Sequence, residues 1–154
     1  MDPVQVITTY VFFSVIAGIA GAIAMTAVMT LIDRAHPVRR NMIVAVGSLL
    51  TRSTANAGLV GVLLHAIAAI GSGLVYTLLL MALNLSSWPA GLFGGLGLGA
   101  FHGMVVSLGL VWVIADQHPL EEYRETGPAV FLEHLAGHVA YGGVVGTIIA
   151  LSPL

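Results

Sequence analysis

Long apolar runs separated by short polar ones set the organisation of this chain. Residues 7–32, 58–83, 90–114 and 128–151 form four stretches of the length, about 20 residues or more, that a helix needs to cross a hydrocarbon core. The first three contain no Asp, Glu, Lys or Arg, and the fourth contains only Glu133. Asp33 and Arg34 close the first run, followed by His36 and Pro37, where the proline removes a backbone donor and stops the helix. The turn Asn84-Leu85-Ser86-Ser87-Trp88-Pro89 joins the second and third runs, with Trp88 at headgroup level and Trp112 anchoring the other end of the third. A polar loop, residues 116–127, follows, and Pro128 opens the fourth run at a favourable first helical position. A shorter apolar run, residues 42–50, lies between Arg40 and Arg52. At about 1.5 Å per residue it is too short to span, and it reads as an amphipathic helix lying at the interface.

Composition turns this pattern into a class. Hydrophobic residues make up 58% and charged ones 8% of 154 residues, with a mean hydropathy of +1.00; soluble domains carry roughly a quarter charged residues. The expectation is an all-α integral membrane protein, one transmembrane domain over residues 1–154 built as a four-helix bundle in the inner or plasma membrane. The first run has no basic stretch or small-residue cleavage motif ahead of it and is expected to be retained rather than removed as a signal peptide. With no cysteine there is no disulfide, thiolate metal site or haem attachment through CxxCH. Orientation follows from arginine, since there is no lysine. Arg34, Arg39, Arg40 and Arg52 sit in the first loop and Arg124 in the third, which predicts both loops cytoplasmic and both termini outside.

The candidate chemistry lies in the most polar of the spans. Phe131 to Gly146, FLEHLAGHVAYGGVVG, places Glu133, His134, His138 and Tyr141 in a segment otherwise apolar enough to cross a bilayer. Ionisable groups cost a few kcal/mol in hydrocarbon and usually face a bundle interior, so they mark candidate sites. On a helix His134, His138 and Tyr141 share one face. Counted inward from the cytoplasmic ends of the spans, His65 lies roughly 10 Å deep, His134 roughly 9 Å, His138 roughly 15 Å and His102 roughly 18 Å. Met25 and Met29 on the first span reach the same layer. One intramembrane histidine is ordinary interhelical glue; four at one depth on three helices are candidate ligands for a transition metal (Cu, Zn or Fe) or for haem b. His65 with His138, or His102 with His134, would hold haem, with propionates meeting Arg34, Arg52 or Arg124. Glu133 and Tyr141 are expected to accept an imidazole N–H or, for Glu133, to join the ligand set. Asp116, His118, Glu121 and Glu122 read as a solvated acidic loop.

Glycine gives the remaining signal. Gly91, Gly95, Gly99 and Gly103 recur at four-residue spacing, and Gly142 and Gly146 repeat it on the fourth span. Such faces let helix backbones approach closely, within a compact bundle or against other membrane subunits or a second copy. An accessory subunit of a larger complex would turn these faces outward, toward its partners. A small transporter or channel would need a water-accessible path, ideally at a helix break, and no proline interrupts the apolar core of a span. No nucleophile and base pair, phosphate loop or nucleic-acid surface stands out. Glu121-Glu122-Tyr123-Arg124 with Phe131 and His134 departs from the EExxxR and FxxxH motifs of the membrane proteases that process prenylated proteins. The runs GAIAMTAVMT, LLHAIAAIGSGLVY and LAGHVAYGGVVG resemble small four-span bacterial inner-membrane proteins of families with no assigned activity. That resemblance implies four helices with histidines in the second and fourth, and no particular chemistry.

Overall fold

The computed structural model describes residues 2–35, 41–124 and 128–154, with the backbone alone at 114–116 and 128. The His36-Pro37 stop, Arg39 and Arg40, and the side chain of Asp116 therefore lie outside the described residues. The chain is helical: α1 Pro3–Ala35, α2 Met42–Thr51, α3 Ala57–Ala82, α4 Ala90–Gln117, a 3-10 turn Glu121–Tyr123, and α5 Pro128–Ala150, with no strand among the described residues. α1, α3 and the Ala90–Val113 part of α4 are long and apolar enough to cross a membrane. α5 has 23 residues but is less apolar, because Glu133, His134, His138 and Tyr141 interrupt it.

That difference has a physical reason in the packing. α5 lies at the centre, with α4 and α1 against it and α3 touching it less, and α2 is docked on α3. Along α5 only Leu132 is exposed among its described side chains, so the helix meets other helices rather than surroundings. The outer helices are built the opposite way. Phe12, Ile23, Ile67, Phe101 and Trp112 are all exposed, whereas Ser14, Thr77, His134 and His138 are buried. Polar groups inside and large apolar groups outside is the arrangement hydrocarbon favours.

Glycine governs how closely the backbones approach. None of the described glycines has a positive φ, so they serve space rather than turn geometry. A Cβ on Gly95 would meet the Gly142 carbonyl, one on Gly142 the Gly95 carbonyl, one on Gly146 the Gly91 carbonyl and one on Gly99 the His138 carbonyl. Rising numbers on α4 thus face falling numbers on α5, and the two helices run antiparallel in backbone contact. On the other side of α5, the Tyr141 ring fills the space above Gly21 of α1. The ladders are taken up inside the bundle, between α4 and α5.

The short helix expected over residues 42–50 forms as α2, capped by Asn41, whose Oδ1 accepts from Val44 N at 3.1 Å. It does not lie free as a surface helix. A Cβ on Gly47 would collide with the Ala57 carbonyl and one on Gly61 with the Ile43 carbonyl, so α2 and α3 touch backbone to backbone. His118, expected in a solvated loop, is fully buried. Its Nδ1 lies 3.0 Å from both Leu120 N and Leu120 O, and its Nε2 lies 3.0 Å from Ala45 O and 3.3 Å from Ser48 Oγ. This ring staples the end of α4 to α2. Arg124 Nε donates to His118 O at 2.8 Å, and the Tyr123 ring packs on the imidazole with centroids 4.9 Å apart. Burial first, and the neighbouring Glu122 second, push the Tyr123 phenol up, so it stays protonated. Glu121 and Glu122 are exposed.

Candidate functional site

A cavity of about 770 Å³ opens where α1, α2, α3, α4 and α5 come together. His65, His102, His134, His138, Glu133, Tyr141, Met25 and Met29 all line it. The sequence spacing behind those eight residues misses three other parts of the wall. Asp33 and Asn41 come from the helix ends, and Met42, Ile43 and Val46 come from α2. Asp33 arrives with the end of α1, whereas the docking of α2 on α3, which two isolated glycines permit, brings the others there.

The hydrogen bonds determine what the histidines offer. His134 Nδ1 lies 2.9 Å from Val130 O, and His138 Nδ1 lies 2.8 Å from His134 O. A carbonyl only accepts, so each Nδ1 carries the proton, and in the neutral ring Nε2 is a bare lone pair. Both residues are buried, at 4% and 8% exposure. The Tyr76 hydroxyl of α3 lies 3.1 Å from Leu98 O and 3.1 Å from His102 Nδ1, both on α4. Its one proton serves either the carbonyl or the ring, so His102 pairs with Tyr76 in both of its tautomers. His65 Nε2 is buried with no hydrogen-bond partner among the described residues. Neutral, partly desolvated imidazoles with free Nε2 lone pairs form a ligating arrangement.

The acceptors that fix these tautomers are not the expected ones. Glu133 and Tyr141 are the acceptors the sequence suggests; backbone carbonyls one turn back on α5 take the protons of His134 and His138 instead. The Tyr141 hydroxyl donates to Ala69 O at 2.6 Å, tying α5 to α3. Glu133 is 9% exposed and lines the cavity. The rings form a continuous cluster. His102 meets His138 edge-on with centroids 5.0 Å apart, Tyr76 lies 5.9 Å from His102, and Tyr141 lies 5.5 Å from Tyr76.

The arrangement is not a closed ion cage. Among the described residues no three His, Asp or Glu side chains stand together as a metal-binding group. Arg34 lines an adjoining groove of about 730 Å³ between α1 and α3 that shares Thr26, Thr30, Ile43, His65 and Ala69 with the chamber, while Arg124 Nε is engaged with His118 and Arg52 caps α2. No family model, curated protein or solved structure matches the chain, so the chamber has to be interpreted from its own residues.

Proposed function

We propose that this is a four-span integral membrane protein that binds a transition-metal cation through imidazole nitrogen, in a chamber in the cytoplasmic half of the bilayer. The observation that carries the reading is the shared tautomer on α5: the Nδ1 protons of His134 and His138 are both taken up by backbone carbonyls, and each Nε2 lone pair belongs to a side chain on one chamber wall. Asp33 and Glu133 on the same wall favour a cation. Among the described residues, the chamber ring nitrogen that is itself buried without a partner is His65 Nε2, at a cost of about 1–3 kcal/mol that a bound ion would recover. Imidazole is also the commonest protein ligand for such ions.

Haem b is the second reading, favoured by size, since cofactor pockets run to about 300–1,000 Å³ and the chamber is about 770 Å³. Among the described residues the chamber wall carries carboxylates and no arginine, which weighs against its propionates. An accessory-subunit role has less support, because the glycine faces meet within the bundle.

The deciding experiment is elemental analysis and an absorption spectrum of the gently extracted protein, alone and after loading with Cu, Zn, Fe or haem. Stoichiometric metal, lost in the His134→Ala/His138→Ala variant, is the expected result. A Soret band would move the assignment to haem. A colourless protein that takes up no metal would end the reading.

A further inference from the structure

We propose that the chamber's ion is copper(I), held by the thioethers of Met25 and Met29 together with His134 and His138 Nε2. The inference rests on the metal-binding reading above and narrows it to one ion and one donor set. On α5, Gly137 lies between the two histidines in sequence, about 60° around the helix from His134 and about 100° from His138, on the flank that meets α1. A Cβ at Gly137 would lie 2.9 Å from Met29 Cγ, 3.1 Å from Met29 Sδ and 3.1 Å from Met25 Cγ. Both methionine side chains therefore run across the α5 backbone between the histidines, in space left by the missing side chain. All four residues line the one chamber, and both histidines are more than nine-tenths buried, with Nε2 unpartnered among the described residues.

Ligand chemistry selects the ion. Zinc and iron(II) sites take at least three protein ligands from imidazole, carboxylate or thiolate, and no group of three His, Asp or Glu is assembled among the described residues. Copper(I) accepts few ligands, and thioether sulfur favours it over the harder ions. The chain has no cysteine, so methionine is its only sulfur donor.

The test uses the full chain in mild detergent, titrated anaerobically with Cu(I) against a chromogenic Cu(I) chelator, in parallel with Zn(II). The metal edge is then read by X-ray absorption. The expected result is one Cu(I) per chain with both sulfur and nitrogen neighbours. Met25→Leu/Met29→Leu should weaken Cu(I) binding by about tenfold or more and remove the sulfur signal. Leu is close to Met in volume, and the single Met29→Leu variant gives the same reading should the double variant not fold. Metal bound by the wild type, lost in His134→Ala/His138→Ala but unchanged in the methionine variants, would overturn the thioether site and leave the histidine reading standing. A wild type that takes up neither Cu(I) nor Zn(II) would overturn both.

Discussion

At Gly142 one added methyl group has nowhere to go, because the Gly95 carbonyl already occupies the place a Cβ would take. Gly142→Ala must push α4 and α5 apart. Overpacking of this kind costs about 1–3 kcal/mol, and the expected outcome is a clear drop in melting temperature in detergent. Gly97→Ala is the matched control: on the same helix pair, nothing lies within 4 Å of its Cβ position. Its effect should stay within about 0.5 kcal/mol. Equal losses from both variants would refute the backbone-contact account. Tyr141 poses a different question, since its hydroxyl ties α5 to Ala69 O while its ring covers Gly21. Tyr141→Phe keeps the ring and loses the bond, for an expected cost of about 0.5–1.5 kcal/mol. Metal uptake should survive it, because that hydroxyl is engaged with α3 and is not a proposed ligand; lost uptake with unchanged stability would make Tyr141 part of the site.

Between elements, the least redundant connection is the His118 staple from the end of α4 to Ala45 and Ser48 of α2. Removing the ring in His118→Ala leaves the Ala45 carbonyl and Ser48 without that partner and opens a void, at a cost of about 1–3 kcal/mol. The loss should be local. Hydrogen exchange is expected to speed up across α2, which supplies Met42, Ile43 and Val46 to the chamber, while the α4/α5 core keeps its protection. A uniform change along the chain would show that α2 is not a separately held wall. Sequence pattern alone reveals the long helices to within a few residues, since charge-free runs bounded by Arg34, Asn84 and Pro128 leave few alternatives. It also singles out the histidines that line the chamber, because imidazole in an apolar run stands out. The same pattern hides the docking of α2, which depends on Gly47 meeting Gly61's neighbourhood across a turn, two glycines with no periodicity to announce them. It misreads His118 for a related reason: local polarity around Glu121 and Glu122 suggests solvent, and only the tertiary arrival of α2 buries the ring. The acceptors of the imidazole protons were illegible because carbonyls carry no sequence signature.

For the whole molecule the decisive question is whether α5 crosses the membrane, since its composition alone leaves it outside the set of three span-competent helices. The register argues that it does. Gly91 faces Gly146, Gly95 faces Gly142 and Gly99 faces the His138 carbonyl, so contact persists over eight residues of each helix, about 12 Å of rise. A helix held antiparallel to α4 at backbone distance is carried back across any bilayer that α4 crosses. Its polar side chains raise no objection, because its neighbours and the chamber cover them and hydrocarbon does not reach them. Parity makes the consequence measurable: starting from an outer N-terminus, three crossings leave the C-terminus in the cytoplasm and four return it outside. The chain has no cysteine, so single variants report one position each. In intact cells a membrane-impermeant thiol reagent should label Ser86→Cys and Ser152→Cys and leave Ser53→Cys untouched until the membrane is opened. Protection of Ser152→Cys together with labelling of Ser86→Cys would mean that α5 does not cross, and the chamber would then have to be placed at the membrane surface instead of within it.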